Sequence, residues 1–115
     1  MGIRVEKGYF DGLGGALDDI KSRALWPTTY ATDHATAAET HWHSEDVHAY
    51  MIEGATYFMD GNGKRHPVEA GDMITIPART LHAEGEINGP VVMLIGIPEP
   101  LPQDRFLMLR DPTDL

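Results

Sequence analysis

Four histidines carry the chemistry that this sequence could do. His41, His43 and His48 lie within eight positions of one another, and His82 stands alone at the start of a later apolar run. Residues two apart on a β-strand project to the same face, so His41 and His43 can present two imidazoles to one point. A third imidazole from another strand would complete a facial set. Neutral imidazole suits Fe(II), Zn, Ni and Cu about equally well. Taken alone, the His-x-His pair also fits a solvated strand face, so the elements around it must decide.

Those elements are short. From Trp26 onward, apolar and β-branched runs are cut by Gly, Pro, Asn and Asp, the pattern of an all-β sandwich or barrel. The predicted strands are Thr28–Thr32, Thr36–Trp42, His48–Ile52, Ala55–Met59, Arg65–Val68, Met73–Ile76, His82–Ile87 and Val91–Ile97. Asp60-Gly61-Asn62-Gly63 stacks two hairpin signals between apolar runs. Gly71 and Pro77 bracket the Met73–Ile76 run as turn and stop. Helical signal is confined to one short amphipathic turn or helix at Ala16–Lys21. Residues 98–104, with Pro98, Pro100 and Pro102, form a stiff arm leading to Phe106-Leu107-Met108-Leu109, which is apolar enough to need cover from this domain or a second subunit. The 115 residues are thus read as one domain, with a barrel over about 26–97, an N-terminal segment 1–25 and a C-terminal arm 98–115.

Charge narrows the partners. Eighteen acidic residues against nine basic give a formal net charge of −9, and the basic residues form no stripe, which argues against nucleic acid. No apolar run approaches the roughly 20 residues of a membrane-spanning helix. Met1 to Phe10 alternate charged and apolar groups and lack the apolar stretch of a signal peptide, so a cytoplasmic location is expected. Cysteine is absent, which fits any compartment.

The stretch His41-Trp42-His43-Ser44-Glu45-Asp46-Val47-His48-Ala49-Tyr50-Met51-Ile52-Glu53-Gly54 resembles the first motif of the cupin family. Gly71-Asp72-Met73-Ile74-Thr75-Ile76-Pro77-Ala78-Arg79-Thr80-Leu81-His82 resembles the second, with Arg79 in place of a Gly. The resemblance covers about residues 35–97 and implies a double-stranded β-helix, or jelly-roll barrel, holding one divalent metal through His41, His43 and His82. Two positions depart from the family: Ala35 stands where the first motif opens with Gly, and Val47 stands where it places its Glu ligand. The implied fourth ligand is then His48, if a bulge re-aims it, or none of the motif residues.

A narrower likeness, in His-x-His-x3-Val-His-Ala-Tyr and the following Gly54-Ala55-Thr56-Tyr57-Phe58-Met59-Asp60, is to the dihydroxyacetophenone dioxygenase group of small cupins. It implies Fe(II), cleavage of a carbon–carbon bond with oxygen, and an additional carboxylate at Asp60, which reads equally as an ordinary hairpin residue. Zn, Ni, Mn and Cu suit the same donors. A three-histidine set would leave the metal its full dipositive charge, favouring anionic chelating substrates.

The candidate catalytic side chains are Tyr50 and Arg79. Tyr50, with Ile52, Phe58, Met73, Ile76, Met93 and Ile95, would wall a pocket or simply fill the core. Arg79 would pair with a substrate carboxylate or answer local acids such as Glu84. Glu45 and Asp46 are expected on a solvated turn, and His34 and His66 at no motif position. A small-molecule substrate and a homodimer complete the expectations. The leading function is an Fe(II) dioxygenase of a small carbonyl or phenolic compound; the alternatives are a non-redox isomerase, lyase or hydrolase, and a non-catalytic ligand- or metal-binding module.

Overall fold

The computed structural model describes residues 2–115. The elements run β1 (Arg4–Glu6), α1 (Gly12–Ser22), β2 (Trp26–Thr32), β3 (Val47–Glu53), β4 (Ala55–Asp60), β5 (Arg65–Glu69), β6 (Met73–Ile76), β7 (His82–Glu84) and β8 (Val91–Ile97), with a 3-10 turn at Pro112–Asp114. They form a five-stranded sheet of order β1-β6-β3-β8-β2 and a three-stranded sheet of order β5-β4-β7. Every paired strand is antiparallel. The two sheets make the jelly-roll barrel that the sequence predicts.

Alternation along β3 explains how the barrel is filled. Val47, Ala49 and Met51 point inward and join Phe58, Val68, Ile74, Ile76, Val91, Met93 and Ile97 in the main core. His48, Tyr50 and Ile52 take the opposite face, where Tyr50, Met73 and Leu94 pack under Ala16 and Ile20 of α1. β3 is therefore covered on both sides, which is why its sequence is apolar at nearly every position. Each fully buried aliphatic or aromatic side chain here contributes about 1.5–3 kcal/mol of transfer free energy.

The helix is longer than expected, 11 residues in place of a short turn or helix at Ala16–Lys21. Gly12, Gly14 and Gly15 disfavour it locally, but burial of Ala16 and Ile20, four apart on one face, outweighs the propensity. A second difference concerns the predicted strand Thr36–Trp42, which forms no ladder. It is extended chain held by isolated bridges of Ala35 with Ile87, His41 with His82, and Trp42 with Arg110. β7 is likewise shorter than its predicted span. The Asp60–Gly63 hairpin is formed, and Pro67 sits in β5, an edge strand where a missing amide costs no ladder bond on the open side. Gly54 is required where β3 turns into β4: its φ is +90°, and a Cβ there would collide with the Pro90 carbonyl oxygen.

The proline-rich arm folds back over one end of the barrel. Leu101, Phe106 and Leu107 pack against the main core, so the domain itself covers part of this apolar segment, while Met108 and Leu109 stay exposed.

Candidate metal centre

Two short segments with the same spacing meet at that end of the barrel. His41 and His43 lie on the bridged segment before β3, and His82 and Glu84 lie on β7. His41 and His82 exchange both backbone hydrogen bonds, N to O at 2.9 Å each way. Pairing in register and spacing by two place all four side chains on one face. The three imidazole centroids are 4.5–5.0 Å apart. One donor atom from each of His41, His43, His82 and Glu84 falls within 4.8 Å of all the others, and the three histidines are buried.

The backbone fixes how the imidazoles face. His41 Nδ1 lies 2.6 Å from the Glu39 carbonyl, His82 Nδ1 2.9 Å from the Thr80 carbonyl, and His43 Nδ1 3.1 Å from the Met108 carbonyl. A carbonyl oxygen can only accept, so Nδ1 carries the proton in each ring and Nε2 keeps its lone pair. His41 Nε2 then faces Glu84 Oε1 at 3.2 Å, and His82 Nε2 faces Glu84 Oε2 at 3.0 Å. With the only ring proton on Nδ1, both buried Nε2 atoms are left without a hydrogen-bond partner. Lone pairs on nitrogen and carboxylate facing each other at these distances repel unless a proton or a cation stands between them. The donors fit a divalent metal: three imidazoles and one carboxylate converge, each imidazole held by a second hydrogen bond.

Without a metal, protons take that role. Burial disfavours the His41 imidazolium, yet the hydrogen bond and charge of Glu84 outweigh it and raise its pKa. Burial likewise disfavours the Glu84 carboxylate, but hydrogen bonds from His41 and His82 hold it well below the usual carboxylate range. His43 lies below its ordinary value, chiefly through burial, with the neighbouring His82 and His41 adding to the depression.

His43 and Glu84 also line a cavity of about 250 Å³. Its walls are Val47, Ala49, Phe58, Ile76, Met93 and Ile95 from the sheets and Leu107 and Leu109 from the arm. A small, largely apolar molecule in this space would have one end against His43 and Glu84.

The sequence candidates divide between this end and other places. His41, His43 and His82 are brought together. The fourth side chain beside them is Glu84, in place of His48 or Asp60. His48 faces away from the barrel interior, as its parity with Tyr50 dictates, and its Nδ1 lies 3.4 Å from Thr75 Oγ1; the β3 irregularity, between Met51 and Glu53, comes too late to re-aim it. Asp60 pairs in register with His82, but its carboxylate is engaged by the amides of Asn62 and Lys64 and by His66 Nε2 at 2.9 Å. Tyr50 is fully buried against α1 and donates to Asp19 Oδ2 at 2.6 Å, away from the cavity. The Arg79 guanidinium stacks 5.2 Å over Trp42, and its amide donates to the His43 carbonyl; it pairs with neither Glu84 nor the cavity.

Of the expected pocket residues, Phe58, Ile76, Met93 and Ile95 line the cavity, and Tyr50, Ile52 and Met73 pack under α1. Asp46 accepts from the Ala78 amide on an exposed turn. Sequence reasoning misses Glu84 because it looks for the acid at the Val47 position and at Asp60. The signal was present in His82-Ala83-Glu84, which repeats the two-residue spacing of His41-Trp42-His43.

A jelly-roll barrel with three imidazoles and a carboxylate at its mouth defines a small β-barrel protein that could bind one metal ion. The chain belongs to the cupin family: the family model described as a cupin domain matches residues 30–95. No curated protein matches the chain by sequence. Among solved structures it is similar to a DUF861 family protein from Thermotoga maritima, with TM-score 0.60, 16% identity, and coverage of 83% of this chain and 98% of that one. It is similar to the DMSP lyase DddQ from Ruegeria pomeroyi, with TM-score 0.58 and 17% identity over 68% of this chain and 40% of the lyase, so it spans about two fifths of that protein. A putative mannose-6-phosphate isomerase from Ralstonia eutropha follows with TM-score 0.56 and 14% identity over 67% and 77%. At these identities the likeness is one of fold. No helix among the described residues is long and apolar enough to cross a membrane.

Proposed function

We propose that the protein is a mononuclear metal enzyme, an Fe(II) dioxygenase that cleaves a carbon–carbon bond in a small carbonyl or phenolic substrate. The observation that carries the reading is the convergence of the His41, His43 and His82 donors with Glu84 at the end of an apolar cavity. Four protein donors on a six-coordinate ion would leave two positions for substrate and oxygen, and Fe(II) bound there would supply the one-electron chemistry that oxygen requires.

The chain's own residues set the rest. The Glu84 carboxylate lowers the formal charge of a divalent site from the +2 expected of three histidines alone to +1, which weakens the preference for anionic chelators and suits neutral hydroxyketones or diketones. Glu39, Thr80 and Met108 carbonyls hold the rings against rotation. The leucines of the arm and the aliphatic wall exclude water from the bound substrate. For an α-hydroxyketone the balanced outcome is two carboxylic acids, with both oxygen atoms entering the products and the bond between the carbonyl and carbinol carbons broken.

Iron-loaded protein given hydroxyketones, diketones and catechols should consume one oxygen per substrate cleaved. Turnover under nitrogen with Zn(II) or Ni(II), and no oxygen uptake, would replace this reading with the non-redox one. That second reading has specific support in the fold neighbours, which include a lyase and a putative isomerase, and in a carboxylate beside the cavity that could move a proton.

A further inference from the structure

The three imidazoles are not held alike. His41 and His82 bond to carbonyls two residues upstream, on their own backbone. Each carries its orientation with it wherever its segment goes. His43 bonds to the Met108 carbonyl, 65 positions away on the C-terminal arm. The arm is fastened next door: Trp42 and Arg110 exchange backbone hydrogen bonds of 3.3 and 2.9 Å, and Trp42 Nε1 donates to the Asp111 carbonyl at 2.9 Å. On either side of Met108, Leu107 and Leu109 form part of the cavity wall. Leu107 is anchored against the core, whereas Leu109 is 62% exposed and sits at the rim.

We propose that the C-terminal arm is a working part of the metal centre, in which the Met108 carbonyl positions His43 while Leu107 and Leu109 close the cavity, so that one seating of the arm sets both the third imidazole and the substrate wall. With the arm lifted, His43 Nδ1 loses its acceptor, both tautomers become accessible, and Nε2 is no longer held on the common point. Linkage makes the coupling reciprocal: a metal that draws in His43 Nε2 favours the seated arm, and its loss loosens the wall. The Arg110 amide, bonded to the Trp42 carbonyl, should therefore exchange hydrogen more slowly when metal is bound.

The inference rests on the metal-centre reading but is independent of the reaction class. The test compares the full chain with a chain ending at Asp104, by imidazole nitrogen NMR of the metal-free proteins and by Co(II) titration. The full chain should show His43 as the Nδ1–H tautomer, with His41 and His82 each keeping a proton on Nδ1. In the shortened chain His43 alone should become a tautomer mixture, with Co(II) affinity about 10- to 100-fold lower. An unchanged His43 with affinity within twofold would overturn the proposal. So would equal disturbance of all three rings, which would make the arm a support of the fold alone.

If the shortened chain does not fold, an ester in place of the peptide bond between Met108 and Leu109 decides in the full chain. It weakens that carbonyl as an acceptor and keeps every side chain. About two- to tenfold weaker Co(II) binding, with mixed tautomers at His43, supports the proposal, and no change in either overturns it. A full chain that bound no Co(II) would remove the metal centre itself, an outcome distinct from intact binding without dependence on the arm.

Discussion

Two polar clusters flank the barrel, one under α1 and one at the mouth, and they differ in how their charges are met. Under α1, Asp19 accepts from Tyr50 at 2.6 Å and from Tyr9 at 2.9 Å and pairs with Arg23 at 3.0 Å. Both Asp19 oxygens there meet a donor or a cation. At the mouth, the Glu84 oxygens face imidazole nitrogens whose protons are already committed to carbonyls on the far side of each ring. The first cluster is complete as protein and docks a helix; the second calls for a cation. A buried polar group whose partners are all acceptors is the better guide to a ligand than a buried polar group as such.

The largest separation of the two clusters should come from His82→Ala and Tyr50→Phe. His82→Ala removes a fully buried donor and should abolish stoichiometric binding in a Zn(II) or Co(II) titration. Tyr50→Phe should leave the stoichiometry unchanged.

Next is Glu84→Gln. Loss of a ligating carboxylate should weaken metal binding by at least the roughly 10- to 100-fold that loss of an outer partner costs, read by competition with a chelator.

The Tyr50→Phe change should then lower unfolding free energy by about 1–2 kcal/mol in urea through the lost Asp19 bond. If it altered metal affinity as well, the two clusters would not be independent.

The pH dependence of the metal-free protein comes after these. Glu84 lies below its unfolded value, so its contribution is present above the ordinary carboxylate range and lost as pH falls. His41 lies above its unfolded value, so its contribution is present below the ordinary imidazole range and lost as pH rises through the raised value. The urea midpoint should peak between those limits, and Glu84→Gln should flatten the peak. Metal reverses the alkaline side, because it binds neutral imidazole. Smallest of all, His48→Ala and Asp60→Asn should shift metal affinity by less than about twofold, since neither side chain reaches the centre.

Much of this was legible in the sequence. The β-branched runs, the Asp60–Gly63 hairpin and the Gly71…Pro77 bracket are local signals and gave β3 to β6 and β8 to within a residue or two. The His-x-His spacing and His82 located three of the four side chains that converge there. What could not be read depends on tertiary choices. The segment carrying His41 and His43 looks like a strand and forms only isolated bridges. β3 is apolar on both faces, so nothing local says whether His48 and Tyr50 or Val47 and Ala49 face the cavity. Arg79 has the positive φ of 65° that suits the missing Gly, and its side chain goes to Trp42, a contact no spacing rule reaches. The Met108 carbonyl is a backbone atom and leaves no trace in residue identity.

The central claim is that one metal ion is held by His41, His43, His82 and Glu84. Its most direct test is elemental analysis of tag-free protein purified without added metal and then titrated with Co(II), repeated on His41→Ala. The account predicts one ion per chain in the parent protein and none held stoichiometrically by His41→Ala. Stoichiometric metal in His41→Ala, or a parent protein that neither retains nor takes up an ion, would contradict it.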